Sequence, residues 1–275
     1  MQIAIHQSCT GIDPAANAHA MLDAIAQAKA GGADMLFTPE MCGLMDRDRK
    51  RAAPNLHDEA DDPVLDAVRT AAADAGIWVH LGSLAVKGGA DGRLLNRGFL
   101  IDASGVIRAR YDKIHLFDVD LPSGESWRES AAYAPGTESV VAQTPFGEIG
   151  MSICYDMRFP DLYRAMSNAG AKILSVPAAF TVPTGKAHWH VLLRARAIEA
   201  GTFVVAAAQS GKHADGRSTY GHSLVIDPWG EILLDMGDEI GVGFASIDMA
   251  RVAEVRARVP ALAHRRPIDT ATVVA

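Results

Sequence analysis

The sequence predicts an α/β fold, on three observations. Short apolar runs of period two, or with no polar break, recur along the chain; helix-forming stretches separate them; and nearly every switch between the two falls on Gly, Pro or Asp. The elements follow in order. Residues 2–7 read as a strand, Asp13-Pro14 supplies a helix cap and a first-turn proline, 16–30 form the helix, and Gly31-Gly32 ends it. A second strand spans 33–38. Asp62-Pro63 opens a helix that ends at Gly76, a strand covers 77–86, and Ser104-Gly105 joins runs 94–102 and 106–111 as a hairpin. Pro145-Phe146-Gly147 turns strand 139–144 into strand 148–153. Pro160 sits near the start of a helix ending at Gly170, before strand 172–176. Residues 187–200 read as a helix and 203–208 as a strand; 222–227 and 231–235 form a hairpin across Asp227-Pro228-Trp229-Gly230. Strand 243–248 and a helical tail over 249–258 complete the pattern.

Two features cut across this order. KAGGADMLFTP (29–39) and SNAGAKILSVP (167–177) share a helix end, a Gly-Ala pair, an apolar strand and a proline, which suggests two related halves. The longest stretch without a pattern is 114–137, and loops of that length inside compact domains usually carry function.

Bulk composition narrows the class. With 275 residues, 49% apolar and 21% charged, the chain can bury one large core, and no linker or composition break divides it, so a single domain over 1–275 is expected. Its cysteines, Cys9, Cys42 and Cys154, are odd in number and match no disulfide framework or C-x-x-C motif, so they read as reduced thiols. The N-terminus MQIAIHQSCT lacks a secretory pattern, and no apolar run approaches the ~20 residues of a membrane span. A cytoplasmic protein without a membrane partner is therefore expected. A net charge of −7 argues against a nucleic-acid partner held by its phosphates.

The chemistry centres on GEIGMSICYDMRFPD, where Cys154 ends an apolar run just before a turn into a helix. An exposed strand end beside a helix N-terminus favours the thiolate, the form that attacks. A cysteine after Ile153 is on burial habits alone more often a small core hydrophobe. Its company argues otherwise: Glu40 follows MLFTP and Lys113 follows VIRARYD, each just beyond an apolar strand. Strand ends are where sheet proteins gather their sites. Either charge alone would read as a solvated surface group. Together with the thiol they supply the parts of amide hydrolysis: a base for the thiol proton, a nucleophile, and a cation for the tetrahedral oxyanion.

FTPEMCG, RYDKIHLFDVDLP, SICYDMRFPDLYR and AAFTVPTGKAHWHVLLRARAIE resemble the nitrilase, or carbon–nitrogen hydrolase, superfamily almost end to end. The resemblance implies a four-layer α-β-β-α sandwich, no cofactor and no metal, and a homodimer or higher homo-oligomer. It implies Glu40 as general base, Lys113 as oxyanion stabiliser, Cys154 as nucleophile, and a second glutamate that orients Lys113. Glu129 in WRESAAYAPG matches that position better than Glu125 in the preceding PSGES. A dry pocket would raise the Glu40 pKa, the Lys113 ammonium would favour the Cys154 anion, and the Tyr155 backbone N–H would be a second oxyanion donor. Attack then expels ammonia, and a water activated by Glu40 hydrolyses the thioester.

VVAAAQSGKHADGRSTYGHSLVIDPWGE and VPALAHRRP look closest to the branch that hydrolyses deaminated glutathione. The substrate expected from this is a small amide bearing carboxylates. Arg158, Lys186, Arg194, Arg196 and Arg217 are candidate partners for its anionic ends, with Arg158 equally suited to bracing the nucleophile turn or an interface. Phe180, Thr181 and Thr184 are candidates to line the pocket, while MCGLMDRDRKRAAPNLHDEA (41–60) borders Glu40 without giving assignable contacts. An omega-amidase acting on 2-oxoglutaramate or 2-oxosuccinamate, a nitrilase, or an N-carbamoyl amide hydrolase would use the same catalytic residues.

Readings from other classes are weaker. His188-Trp189-His190, with His213 and His222, offers a metal site, but residues two apart on a helix face different sides. GVGFAS lacks the third glycine of a dinucleotide loop and leads into a strand. A non-catalytic binding protein on the same scaffold is the better rival, disfavoured because every catalytic residue type is present.

Overall fold

The computed structural model describes residues 1–120, 124, 126–268 and 270–274; Glu125, the alternative second glutamate, lies outside them. The chain runs β1 (Gln2–Gln7), α1 (Pro14–Ala30), β2 (Met35–Phe37), α2 (Arg49–Ala52), α3 (Pro63–Ala75), β3 (Trp78–Val86), β4 (Leu95–Ile101) and β5 (Ile107–Asp112). A small hairpin follows, β6 (Asp118–Asp120) and β7 (Ser126–Arg128), then β8 (Val140–Thr144), β9 (Gly147–Met151), α4 (Pro160–Asn168), β10 (Ile173–Ser175), α5 (Val182–Ala200) and β11 (Phe203–Ala206). A second small hairpin, β12 (Ser210–Lys212) and β13 (Ser218–Tyr220), precedes β14 (Leu224–Ile226), β15 (Ile232–Asp235), β16 (Gly241–Ser246) and α6 (Ala250–Arg258).

Two six-stranded sheets form the frame, ordered β16-β1-β2-β3-β4-β5 and β15-β14-β11-β10-β9-β8. In each, three parallel strands sit between antiparallel edges: β1, β2 and β3 in the first, β9, β10 and β11 in the second. The echo between 29–39 and 167–177 falls on equivalent places, since β2 and β10 are the middle parallel strands. Strand alternation explains the layering. Ile3, Ile5, Met35 and Phe37 join the core shared with Ile149, Met151 and Ile173 of the second sheet, whereas Ala4, Leu36, Val79 and Leu81 face Met21, Ile25 and Val68 of α1 and α3. Trp189, Leu193 and Ala197 of α5 and Leu162 and Met166 of α4 cover the second sheet, which completes the α-β-β-α sandwich. The polar His80 enters the inter-sheet layer, where it stacks on Phe37 and its Nε2 lies 2.9 Å from Ser175 Oγ. Burial lowers its pKa to about 4, so the ring is neutral.

The caps behave as the residue types dictate. Asp13 accepts from the Ala15 N–H, Asp62 Oδ1 accepts from the Val64 and Leu65 N–H groups, and Gly76 ends α3 in the left-handed region. Four expectations shift. Helix 187–200 begins earlier, at Val182, because Pro183 serves its first turn and Gly185 lets Tyr220 pack directly against the helix. Strand 222–227 shortens to β14, since His222 takes φ +55 and leaves the extended region. The last strand runs over β16 instead of 243–248. The unpatterned 114–137 contains the β6–β7 hairpin, whose strands are too short and polar for a periodicity to register.

Two close approaches deliver the strand ends to one place. A Cβ on Gly82 would lie 2.2 Å from Thr38 O and 2.4 Å from Pro39 O, so only glycine lets β3 support the backbone leading to Glu40. On the other sheet, Cys154 N donates to Pro177 O at 2.9 Å, tying the end of β9 to the end of β10.

Candidate active site

Glu40 follows β2, Lys113 follows β5, and Cys154 lies three residues beyond β9. Folding brings them together with Glu129, which sits on a short 3-10 turn after β7. All four line one cavity of about 480 Å³. Lys113 is buried, and its ammonium Nζ donates to Glu40 Oε1 at 2.9 Å and to both Glu129 oxygens at 2.8 and 3.1 Å. Each carboxylate is fixed from behind. Glu40 Oε2 accepts the Ala179 N–H at 2.8 Å, and Glu129 Oε2 accepts the Phe117 N–H at 2.7 Å.

Cys154 occupies a strained position, φ +50, at the start of a 3-10 turn over Cys154–Arg158. It is only 7% exposed, not at an open strand end, and the 3-10 turn separates it from α4. Its thiol lines the same cavity as the Glu40 carboxylate, whose negative charge acts on it.

The electrostatics reverse two expectations. Burial pushes the Glu40 carboxyl up, but the Lys113 ammonium and hydrogen bonds from Lys113, Cys154 and Asn96 outweigh it and hold Glu40 below its ordinary value. Burial and the Glu40 charge push the Cys154 thiol well above its ordinary value, against the opposing pull of Lys113. Burial would discharge Lys113, yet the charges of Glu129 and Glu40 keep it well above the usual lysine range. The reason is charge balance: one ammonium faces two carboxylates, so a thiolate would add a second uncompensated negative charge. The resting site holds a neutral thiol beside an ionised carboxylate.

Three residues that the sequence did not reveal as site residues hold the cluster. Asn96 on β4 donates from Nδ2 to Glu40 Oε1 at 2.9 Å and to Glu129 Oε1 at 3.1 Å. Gln209 donates to the Glu40 backbone carbonyl at 2.9 Å. Asp156 is fully buried and accepts from Tyr111 OH (2.7 Å), the His115 N–H (3.0 Å) and the Ile153 N–H (2.9 Å), and its Oδ1 lies 2.7 Å from His115 Nδ1. It thereby joins the residues two before and two after Lys113 to the turn that presents Cys154. A polar residue within an apolar run was the available signal for Asn96 and Gln209. Nothing in the sequence marks an aspartate on a turn as buried.

Of the expected substrate contacts, Phe180, Thr181, Thr184 and Arg217 line the cavity, and 41–60 forms one wall through Met41, Leu44, Met45, Arg47, Arg49 and Leu56. Arg158 and Lys186 do not line it. The Arg158 guanidinium lies over the Phe180 and Tyr155 rings, 5.4 and 5.8 Å from their centroids, and Nη2 is 3.3 Å from His188 Nδ1. Arg194 is spent on Gly230 O, and buried Arg196 donates to Met157 O, bracing the turn that carries Cys154. The expected histidine grouping also breaks up, because His213 is buried against Thr10 O and Thr219 Oγ1. His190 and His222 instead meet Asp235, 3.0 and 2.9 Å from its two oxygens; this is the one potential metal-binding group among the described residues, and none of the three lines the cavity.

A family profile described as Carbon-nitrogen hydrolase matches residues 2–257. The chain belongs to the carbon–nitrogen hydrolase family. The deaminated glutathione amidase of Yersinia enterocolitica is 38% identical over 98% of this chain and 94% of its own length. The Caenorhabditis elegans NitFhit protein superposes with a TM-score of 0.89 at 38% identity, over 96% of this chain and 65% of that one. An amidase from Nesterenkonia sp. AN1, in a variant with covalent addition of the acetamide moiety of fluoroacetamide at its active site cysteine, superposes with a TM-score of 0.78 at 28% identity, covering 94% and 95% of the two chains. A carbon–nitrogen hydrolase of this sandwich type hydrolyses C–N bonds other than peptide bonds.

Asp156→Asn keeps the shape but replaces acceptor by donor on one side, leaving a buried N–H or O–H without its partner. We expect a loss of about 1–3 kcal/mol in denaturant unfolding together with a lower kcat. Wild-type stability and kcat in this variant would show that Asp156 does not organise the turn.

Proposed function

We propose that the protein is a cysteine-dependent amidase acting on a small carboxylated amide, with deaminated glutathione as the substrate. The observation that carries this reading is the buried Cys154–Glu40–Lys113–Glu129 cluster opening on a cavity sized for a small molecule. Glu40 takes the thiol proton as Sγ attacks the amide carbon. The Lys113 ammonium and the Tyr155 N–H stabilise the oxyanion, while Glu129 keeps Lys113 charged and aimed. Glu40 then passes its proton to the departing nitrogen as the C–N bond breaks, leaving a thioester on Cys154. Water, deprotonated by Glu40, attacks the thioester carbon; the acid leaves and the proton returns to sulfur.

Relatives named deaminated glutathione amidase support the substrate, including the Yersinia enterocolitica protein. In that compound the C–N bonds are secondary amides, so the leaving group is an amine; ammonia is released only from a primary omega-amide. We read the chain as a single catalytic domain in a reducing, cytoplasmic setting, in keeping with three free thiols. No described helix is long and apolar enough to cross a membrane. We also read it as a homodimer: Val191 and Ile198 on α5 are 67% and 52% exposed, and Trp229 beside them is 50% exposed. A monomer in sedimentation equilibrium at micromolar concentration would refute the dimer.

Cys154→Ala is expected to abolish turnover while preserving circular dichroism and the unfolding midpoint; appreciable residual activity would rule the mechanism out. The pH profile gives a second test. Glu40 works as a base when ionised, and its depressed pKa keeps it ionised until the pH falls below the ordinary carboxylate range. Lys113, raised well above its ordinary value, stays charged throughout. The acid limb of kcat/KM should therefore lie below about pH 4.5. A limb set by the enzyme near pH 6–7 would contradict the assignment of Glu40 as a base with a lowered pKa.

A further inference from the structure

Beyond the reacting cluster, three loops converge on Trp127. Arg47 comes from the segment after Glu40, Arg217 from the β12–β13 hairpin, and Trp127 from β7. The guanidinium carbons of Arg47 and Arg217 lie 5.2 and 5.4 Å from the Trp127 ring centroid. One buried carboxylate fixes both loops: Asp215 Oδ2 accepts Arg217 Nε at 2.6 Å and the Arg47 backbone N–H at 3.1 Å. The arrangement is built around this one acceptor, and its remaining polar groups are donors.

The hydrogen-bond inventory shows what is left over. Among the described residues, the Arg47 side chain makes no hydrogen bond, Arg217 uses only Nε, and the buried Trp127 indole N–H has no acceptor. Of the other cavity arginines, Arg93 is held by Ser130 O, Tyr133 O and Asp91 and Arg128 by Asp120, while Arg49 gives one N–H to Ala131 O and does not lie over Trp127. The acids on the cavity wall are committed too. Asp46 is gripped by Arg51, and Glu40 and Glu129 by Lys113. Among the described residues, no carboxylate is within ion-pair distance of the Arg47 guanidinium. Two guanidiniums on one indole ring, Arg47 with its whole fork and Arg217 with its Nη groups free of partners among the described residues, beside an orphan N–H, call for a planar two-oxygen anion.

We propose that Arg47 and Arg217, gathered on Trp127, form a carboxylate subsite on the solvent-facing side of the cavity. It selects amides that carry a carboxylate away from the bond being cleaved; this selection of substrate rests on the amidase reading, whereas the anion site itself does not. Arg47 is exposed, so its removal takes away little packing beyond the contact with Trp127. Arg217→Lys keeps the charge but loses the fork that Asp215 and the anion share.

The test is calorimetric binding to the Cys154→Ala protein, with and without Arg47→Ala or Arg217→Lys. Three probes are used: glutaramate, with a carboxylate on the acyl side; N-valerylglycine, with one on the amine side; and valeramide, with none. Each arginine variant should weaken at least one carboxylated probe about ten- to hundred-fold and leave valeramide within about two-fold. The probe that responds identifies which side of the amide the subsite holds. Equal effects on all three probes, or no effect on either carboxylated one, would overturn the subsite. Failure of the unmodified enzyme to turn over any of the three would count against the amidase reading, while the binding comparison would still decide the subsite.

Discussion

A buried ammonium between two carboxylates is the constraint on which the rest of this structure depends. Removing Lys113 from water is costly, and Glu40 and Glu129 offset that cost only while both are held in contact with it. The surrounding chain does the holding: Asn96 bridges the two acids, the Ala179 and Phe117 N–H groups fix their outer oxygens, and Gln209 fixes the Glu40 backbone. Because one positive charge meets two negative ones, the nearby thiol keeps its proton. Glu40 is ionised and able to accept that proton, but its lowered pKa makes the transfer uphill in the resting site. Activation is thereby deferred until a substrate carbonyl supplies a place for the charge to go.

The sandwich meets this constraint by using the ends of strands from both sheets. Glu40 leaves the first sheet directly after Pro39, and Ala179 leaves the second sheet two residues after Pro177, so the two come from corresponding strand ends of the two halves. Their meeting across the sandwich is a hydrogen bond, Ala179 N to Glu40 Oε2. Asp156 makes the corresponding connection between the β5 end, with Lys113, and the nucleophile turn. Loops from three further places then wall the cavity, and their arginines and Trp127 give it a cationic side opposite in character to the acidic cluster.

Much of this was legible from residue order. The strands and caps followed from period and from Asp, Pro and Gly placement, and Glu40, Lys113 and Cys154 stood out as reactive groups at strand ends. Glu129 came from resemblance alone, since a glutamate in a polar turn carries no signal of its own. What stayed hidden has a common cause: it depends on contacts between segments far apart in sequence. Asp156 looks like a solvated turn residue until Tyr111 and His115 surround it. The hairpins at 118–128 and 210–220 are too short to show a period, yet they carry Trp127, Arg128 and Arg217 to the cavity. The sequence also points the wrong way for the Glu40 and Cys154 shifts, because a dry pocket alone raises a carboxyl and a nearby ammonium alone favours a thiolate, whereas the balance of all four groups decides both.

The central claim is that Cys154 carries the acyl group between two chemical steps. Mass spectrometry of enzyme quenched in acid during turnover of an omega-amide reads this directly. The account predicts an added acyl mass on the peptide containing Cys154, removable by hydroxylamine as a thioester. Turnover with Cys154 unmodified throughout, or with the acyl group on Cys9 or Cys42, would contradict it.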